Sequence, residues 1–272
     1  MSSSHALLTH RTEGRGDTVL LLNGGFMTYA TWEGVAKHLR PDFQLLFCDL
    51  RGQPLSPGPS HHDLQDNVAD ILALLEHLGL FSVHVVATSF GAWVGILLAA
   101  TEPERVRSLI AVTTTDVATP SVVQGVEDLR EAIAEIVAGG DAARFHDLRA
   151  SDVYSPAYVE AHRDEMEQRR RQLNQFPTSW FEGLSGIRHC TEELDLRARL
   201  GEIHCPTLVV HAAEDRLFDA ERSRSLAAAI PNAELIEHPS GGHALIAEDP
   251  DWLGIRCLEF LKNHVDTRAP GL

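Results

Sequence analysis

Cysteine and basic residues are scarce in this chain of 272 residues. The four cysteines, Cys48, Cys190, Cys205 and Cys257, have no Cys-x-x-Cys spacing. They are too few for a disulfide framework, so each is interpreted as a small buried hydrophobe. Lys and Arg number 23 against 39 Asp and Glu, giving a formal net charge of −16. This charge disfavours nucleic acid or an anionic membrane as a partner, because both require clustered cations.

Long apolar runs and metal-binding motifs are lacking too. No run approaches the roughly 18 to 20 residues of a membrane span, and the stretch MSSSHALLTHRTEGRGD lacks the apolar core of a signal peptide. We therefore expect a cytoplasmic protein without a membrane partner. The adjacent residues His61 and His62 cannot easily converge on one ion, and no dinucleotide, Walker or Cys/His motif occurs. The sequence predicts no metal and no cofactor.

Two kinds of apolar pattern alternate along most of the chain. Continuous runs such as TVLLLNGG, FQLLFCDL and VHVVATS predict buried strands, and amphipathic segments such as LQDNVADILALLEHLG predict helices between them. Parallel strands that helices cover on both faces have this pattern. The sequence therefore predicts an α/β fold with a mainly parallel, doubly wound sheet.

The middle of the chain has a different pattern. Between about Ala118 and Leu200 the strand-like runs vanish, and segments such as VVQGVEDLREAIAEIVAGG have helical periodicity. We interpret residues 118–200 as a helical cap inserted into an α/β core that comprises residues 1–117 and 201–272.

One serine lies where a strand pattern changes to a helix pattern. In VHVVATSFGAWVGILLAA the β-branched run ends just before Ser89, and helical spacing begins at Ala92. A serine at such a junction is often only a helix N-cap. A tight turn there can also hold a serine as a nucleophile beside a base, and the small residues Ala87 and Gly91 suit such a turn.

Residues that could assist Ser89 follow later strands. Asp215 comes after the strand TLVVHAAE, and His243 lies in the glycine-rich loop PSGGHALIAEDP. In a parallel sheet the carboxyl ends of strands meet at one edge, so these side chains are expected to converge there. The chain order of serine, acid and histidine is that of the α/β-hydrolase arrangement. Glu214 is the rival acid, because it neighbours Asp215.

Two backbone amides are candidates for an oxyanion hole. The amide of Phe90 directly follows the nucleophile, and the loop LNGGFMTYATW, which ends the first apolar strand, supplies a second donor that we assign to Gly25. Aromatic and sulfur-containing side chains in this loop and in the cap either line an acyl pocket or pack the cap on the core: Phe26, Met27, Tyr29, Trp180 and Phe181. Trp93, on the same side of its helix as Ser89, is interpreted as core packing.

The chain resembles the α/β-hydrolase superfamily over almost its whole length. Five stretches carry the resemblance in order, namely NGG, CDLRGQPLS, VVATSFG, VVHAAEDRLF and GGHALIAEDP. Asn23 stands where many members have His, and Ala87 replaces the first Gly of the nucleophile turn. These two departures look similar to the branch that includes the acyltransferase making the lipid part of rhamnolipids. Pro54 stands where the family usually has Gly, which leaves the conformation of the LRGQPLS loop open.

The resemblance and the residues together predict a serine hydrolase that acts on a small-molecule acyl substrate. Ser89 would attack, His243 would act as base, Asp215 would orient His243, and Gly25 and Phe90 would bind the oxyanion. One alternative is an acyltransferase that passes the same acyl group to an acceptor other than water. Another is a ligand receptor without catalysis. The sequence leaves the oligomeric state open, with a homodimer as one option.

Overall fold

The computed structural model describes residues 7–56 and 58–265. Its central sheet contains the strands β1 (His10–Gly14), β2 (Thr18–Leu22), β3 (Gln44–Cys48), β4 (Val83–Thr88), β5 (Val106–Val112), β6 (Thr207–Ala212) and β7 (Ala233–His238). The order across the sheet is β1-β3-β2-β4-β5-β6-β7. β1 runs antiparallel to β3, and the other neighbouring strands pair in parallel. The predicted α/β class and mainly parallel sheet are confirmed.

Twelve α-helices occur in the described residues. They are α1 (Glu33–Leu39), α2 (Leu64–His77), α3 (Phe90–Thr101), α4 (Pro120–Val137), α5 (Ala143–Val153), α6 (Pro156–Ala161), α7 (Arg163–Gln172), α8 (Thr178–Gly183), α9 (Ser185–Glu192), α10 (Ala220–Ala229), α11 (Leu245–Glu248) and α12 (Pro250–Lys262). Short 3-10 helices cover Tyr29–Trp32, Pro103–Arg105, Leu173–Gln175 and Arg197–Glu202. None of the helices in these ranges is both long and apolar enough to cross a membrane.

Helices cover both faces of the sheet. On β2, Leu20 and Leu22 belong to the apolar cluster with α2, α3 and α10, whereas Val19 and Leu21 belong to the cluster with α1 and α12. Successive strand residues point to opposite faces, so a strand that is buried on both faces needs apolar side chains at every position. This requirement explains why β2 and β4 are mostly apolar, with His84 as the exception in the middle of β4.

The edge strand β1 was not predicted from the sequence. Its residues, HRTEG, are polar, and their side chains are exposed or half-buried. An edge strand has one unpaired side and needs little apolar surface, so its sequence carries a weak strand signal. β1 pairs with β3 from His10 opposite Cys48 to Gly14 opposite Gln44.

Six α-helices, α4 to α9, lie between β5 and β6, and we call residues 120–192, which contain them, the helical insertion. An antiparallel bridge between Val117 and Asp195 joins the two segments that lead into and out of it. The insertion lies within the predicted cap of residues 118–200. The division of the chain into that cap and a core of residues 1–117 and 201–272 stays a prediction.

The cysteines lie apart from one another and have free thiols. Cys48, Cys190 and Cys257 are buried, and Cys205 is half-buried. Burial raises the pKa of the Cys190 and Cys257 thiols to about 12, so both are neutral at physiological pH.

Candidate active site

Ser89 occupies a strained turn between β4 and α3. Its φ of 52° and ψ of −121° lie in a region that residues with a side chain rarely adopt. It holds the N-cap position of α3, yet its side chain caps no helix amide. The hydroxyl Oγ instead lies 2.9 Å from Nε2 of His243. A capping role therefore does not explain the position of this serine.

Gly91 permits the tight approach of α3 to the end of β2. A Cβ atom at Gly91 would lie 2.4 Å from the carbonyl oxygen of Asn23 and 2.6 Å from that of Leu22. Both obstacles are backbone atoms, which cannot move aside as a flexible side chain can. Gly91 thus keeps the turn that carries Ser89 packed against the loop after β2.

His243 and Asp215 reach Ser89 from loops that follow β7 and β6. Nδ1 of His243 lies 3.0 Å from Oδ2 of Asp215. The second carboxylate oxygen of Asp215 accepts hydrogen bonds from the amides of Leu217 at 2.9 Å and Phe218 at 3.0 Å. The Asp215 side chain is fully buried, and that of His243 is 8% exposed. These contacts hold the carboxylate in one orientation and leave Nε2 directed at the serine.

Glu214 does not share the position of Asp215. No hydrogen bond or ion pair joins its side chain to His243 among the described residues, and its own amide donates to the carbonyl of Gly241 at 2.9 Å. Neighbouring side chains in extended backbone point in different directions, so only one of the two acids can face the imidazole.

The amides of Gly25 and Phe90 lie close together beside the serine. A Cβ atom at Gly25 would lie 3.7 Å from Cβ of Phe90, and one at Gly24 would lie 3.5 Å from Cβ of Ser89. Within residues 7–56 and 58–265, neither the Gly25 nor the Phe90 amide donates to a protein acceptor. Both donors are therefore free to bind an oxygen atom of a ligand.

A buried polar network supports the loop that contains Gly25. Nδ2 of Asn23 lies 2.9 Å from Oδ1 of Asp49 and 3.0 Å from Oε1 of Gln53, and Oδ1 of Asn23 accepts from the indole of Trp32 at 2.9 Å. Nε2 of Gln53 donates to the carbonyl of Gly24 at 2.8 Å. Burial raises the pKa of Asp49, while hydrogen bonds to this carboxylate oppose the rise. Asn23, which replaces the usual His, thus ties the loop to the segment after β3.

The LRGQPLS loop, whose conformation Pro54 left open, is held by the same network. The carboxylate of Asp49 accepts from the amide of Leu55 at 3.1 Å, and the amide of Ser56 donates to the carbonyl of Gln53 at 3.1 Å. Gly52 adopts a φ of +80°, which a glycine tolerates. The loop is therefore a hydrogen-bonded turn beside the site.

A cavity of about 670 Å³ opens at Ser89 and His243. Its floor comes from loops at the carboxyl edge of the sheet, and much of its wall comes from the helical insertion. A volume of this size accommodates a small organic molecule. The insertion contributes apolar side chains that include Val122, Leu129, Ile133, Phe145, Phe181 and Ile187.

Three of the five predicted pocket residues line this cavity, namely Phe26, Met27 and Phe181. Tyr29 does not line the cavity, because its ring packs near Phe47, 6.2 Å between centroids, against the apolar cluster with α1 and α12. Trp180 neighbours Phe181 on α8 and therefore points in another direction, toward Phe176 at 4.7 Å.

Trp93 also lines the cavity, although its sequence context indicated only core packing. It lies four residues after Ser89 on α3, so the two side chains share one helix face. This spacing of four residues was the signal in the sequence that could have placed Trp93 in the site. Its indole nitrogen is buried and has no hydrogen-bond partner in the described part of the chain.

Two sets of hydrogen bonds attach the helical insertion to the core. The carboxylate of Glu248 accepts from the amide and the hydroxyl of Ser155 at 2.8 and 2.6 Å. Ser60 bonds to Gly183 through both its amide and its hydroxyl, and its Oγ accepts from the amide of Gly186 at 3.0 Å. We call these the Ser155 anchor and the Ser60 anchor. The two anchors attach the insertion to the core at separate places, so that it covers Ser89 and His243.

The sequence matches the family described as alpha/beta hydrolase fold over residues 17–250. The chain therefore belongs to this family, which confirms the resemblance drawn from its motifs.

Several hydrolases are similar to the chain along most of its length. It is 27% identical to the "Putative carbamate hydrolase RutD" of Agrobacterium fabrum, covering 92% of this chain and 95% of the relative. It is 28% identical to the pimeloyl-[acyl-carrier protein] methyl ester esterase of Chromobacterium violaceum, covering 95% and 98%. The family and these names support the hydrolase class of enzyme.

A solved structure with a similar fold is MGS-M2, an alpha/beta hydrolase enzyme from a Medee basin deep-sea metagenome library. The TM-score is 0.87 at 23% identity, and the alignment covers 97% of this chain and 96% of the other. This likeness concerns the fold alone. The resemblance to the acyltransferase branch of rhamnolipid synthesis stays a prediction.

Proposed function

We propose that the protein is a serine hydrolase that cleaves a carboxylic ester or a related acyl bond, such as a lactone or thioester, through an acyl-enzyme on Ser89. The observation that carries the proposal is the chain of contacts from Ser89 Oγ to His243 Nε2, at 2.9 Å, and from His243 Nδ1 to Asp215 Oδ2, at 3.0 Å. A serine hydroxyl needs a base in this position to attack a carbonyl at neutral pH.

The acylation step uses all of these groups, and His243 acts in it first as a base and then as an acid. Oγ of Ser89 attacks the carbonyl carbon while Nε2 of His243 removes the hydroxyl proton, and Asp215 stabilises the resulting imidazolium. The negative charge that develops on the carbonyl oxygen is stabilised by the amides of Gly25 and Phe90 and by the positive end of α3. The bond to the leaving group then breaks, and His243 donates its proton to the departing atom.

Deacylation repeats the chemistry with water. His243 removes a proton from a water molecule, and the oxygen of that water attacks the acyl carbon. The bond to Oγ of Ser89 breaks as the hydroxyl regains its proton from His243, which releases the free acid. The cavity beside the serine has room for the acyl chain during both steps.

Labelling with a fluorophosphonate probe, combined with a panel of esters, lactones and thioesters, tests the proposal. We expect the wild type to be labelled and to release free acid with water as the only acceptor, and we expect Ser89→Ala to lose both properties while keeping its circular dichroism spectrum. Turnover that requires a second substrate would favour the acyltransferase. Tight stoichiometric binding without turnover would favour the receptor, and full activity in a folded Ser89→Ala variant would exclude Ser89 as the nucleophile.

A further inference from the structure

Arg149 on α5 faces the cavity without an acidic partner. Within the described residues its guanidinium forms no ion pair at the limit of 4.0 Å, and its buried Nε has no hydrogen-bond acceptor. The guanidinium carbon lies 5.6 Å from the ring centroid of Phe26, the residue next to Gly25. The side chain therefore lies over the same loop as the proposed oxyanion hole.

The other arginines that line the cavity have protein partners. Arg130, Arg169 and Arg188 form ion pairs with glutamates on their own helices, and Arg216 donates to the carbonyl oxygen of Ser151 at 3.2 Å. Arg149 thus differs from these four in the part of the chain that the structure describes. The missing partner is therefore particular to Arg149 and is not shared by the other arginines of the cavity.

The acidic groups near Arg149 do not form hydrogen bonds that would stabilise its positive charge. Burial lowers the pKa of its guanidinium, and the negative charges of Asp152 and Asp215 act against that effect. Asp215 is already bonded to His243 and to two backbone amides, and Asp152 forms no ion pair with Arg149. The Arg149 side chain is half-buried and has no hydrogen-bonded acidic partner, so a ligand that supplies an anionic oxygen pair would be bound favourably here.

We propose that the ester substrate carries a carboxylate and that Arg149 binds it, which makes Arg149 a specificity-determining residue. This inference rests on the proposed function. A guanidinium offers two parallel N–H donors that match the two oxygens of a carboxylate, whereas the apolar wall of α4 accommodates the methylene chain between that carboxylate and the reacting carbonyl. The substrate class is thus a half-ester of a dicarboxylic acid or an ester of a hydroxy acid.

Matched pairs of esters test this assignment. The para-nitrophenyl half-ester of adipic acid differs from para-nitrophenyl pentanoate only by a terminal carboxylate on the acyl chain. Phenyl pentanoate and its para-carboxyphenyl analogue place the carboxylate on the leaving group instead. Comparing kcat/KM within each pair separates the effect of the charge from general activity and shows which side of the ester carries the carboxylate.

We expect the wild type to prefer the anionic ester in one pair, and Arg149→Gln to lower that preference about a hundredfold. Arg149→Lys should recover part of it, because it keeps the charge and loses the paired donors. Arg144→Gln is the matched control, since Arg144 lies on the same helix, is exposed and pairs with Glu135. Equal losses on charged and neutral esters in Arg149→Gln would assign the residue a structural role only and overturn the proposal.

A binding measurement separates this proposal from the proposed function. Calorimetric titration of the wild type with adipate requires no catalysis, so it remains informative if none of the esters is hydrolysed. Binding that disappears in Arg149→Gln and persists in Arg144→Gln would support the carboxylate site. No heat of binding to folded wild type, together with no preference for anionic esters, would refute it.

Discussion

Replacing Asp215 by Asn should disable the base while barely changing the shape of the site. Oδ1 of Asp215 accepts two backbone amides, so the amide oxygen of an Asn would take that place and its NH2 group would face Nδ1 of His243. The imidazole would then carry its proton on Nε2 and donate to Ser89 instead of accepting its proton. The same exchange in serine proteases lowers kcat about 10⁴-fold, which corresponds to about 5.5 kcal/mol in the activation barrier.

Glu214→Gln is the matched control for this variant. Glu214 is adjacent in sequence, carries the same charge and forms no hydrogen bond or ion pair with His243 in the described structure. Its kcat should stay within about tenfold of wild type, or about 1.4 kcal/mol. Both variants are assayed on one para-nitrophenyl ester, with circular dichroism to verify folding. A crippled Glu214→Gln enzyme beside an active Asp215→Asn enzyme would refute the assignment of the acid.

Two further predictions concern stability. Gly91→Ala should lower the free energy of unfolding by about 1–3 kcal/mol in urea denaturation, because its Cβ would meet the Asn23 carbonyl, whereas Gly125→Ala on α4, with open space around it, should not destabilise the protein. An unchanged midpoint for Gly91→Ala would contradict this. Burial lowers the pKa of His84 from 6.5 to about 4. The contribution of neutral His84 to the free energy of unfolding is therefore fully present above about pH 6.5, and the free energy of unfolding should fall by about 3 kcal/mol towards pH 4. His84→Gln should flatten that dependence, and equal slopes in both proteins would exclude His84 as the cause.

The sheet and the catalytic candidates could be predicted because their signals lie in the strand pattern and in the topology that this pattern implies. A parallel strand buried on both faces is mostly apolar, and the tight turn at Ser89 requires a small residue at Gly91. Asp215 and His243 were predicted to lie close together because both follow parallel strands, whose carboxyl ends share one edge of the sheet. Each of these inferences depends on the backbone topology and not on side-chain packing.

The cavity wall could not be predicted to the same extent, because it depends on how the helical insertion packs. Trp180 and Phe181 are neighbours of similar character, and only the rotation of α8 decides which of them faces the cavity. In the sequence, Arg149 is one of several charged residues in the segment ARFHDLRASDV. Its lack of an acidic partner appears only when the neighbouring helices and the loop with Phe26 are in place.

The two anchors of the helical insertion have a consequence for protein engineering. The proposed reacting groups lie on loops of the sheet, whereas Val122, Leu129 and Ile133 extend from a helix that belongs to neither the Ser155 nor the Ser60 anchor. A directed-evolution library confined to these three positions would vary the wall of the cavity and leave both anchors intact. The cavity wall and the proposed reacting groups thus lie in separately mutable parts of one molecule.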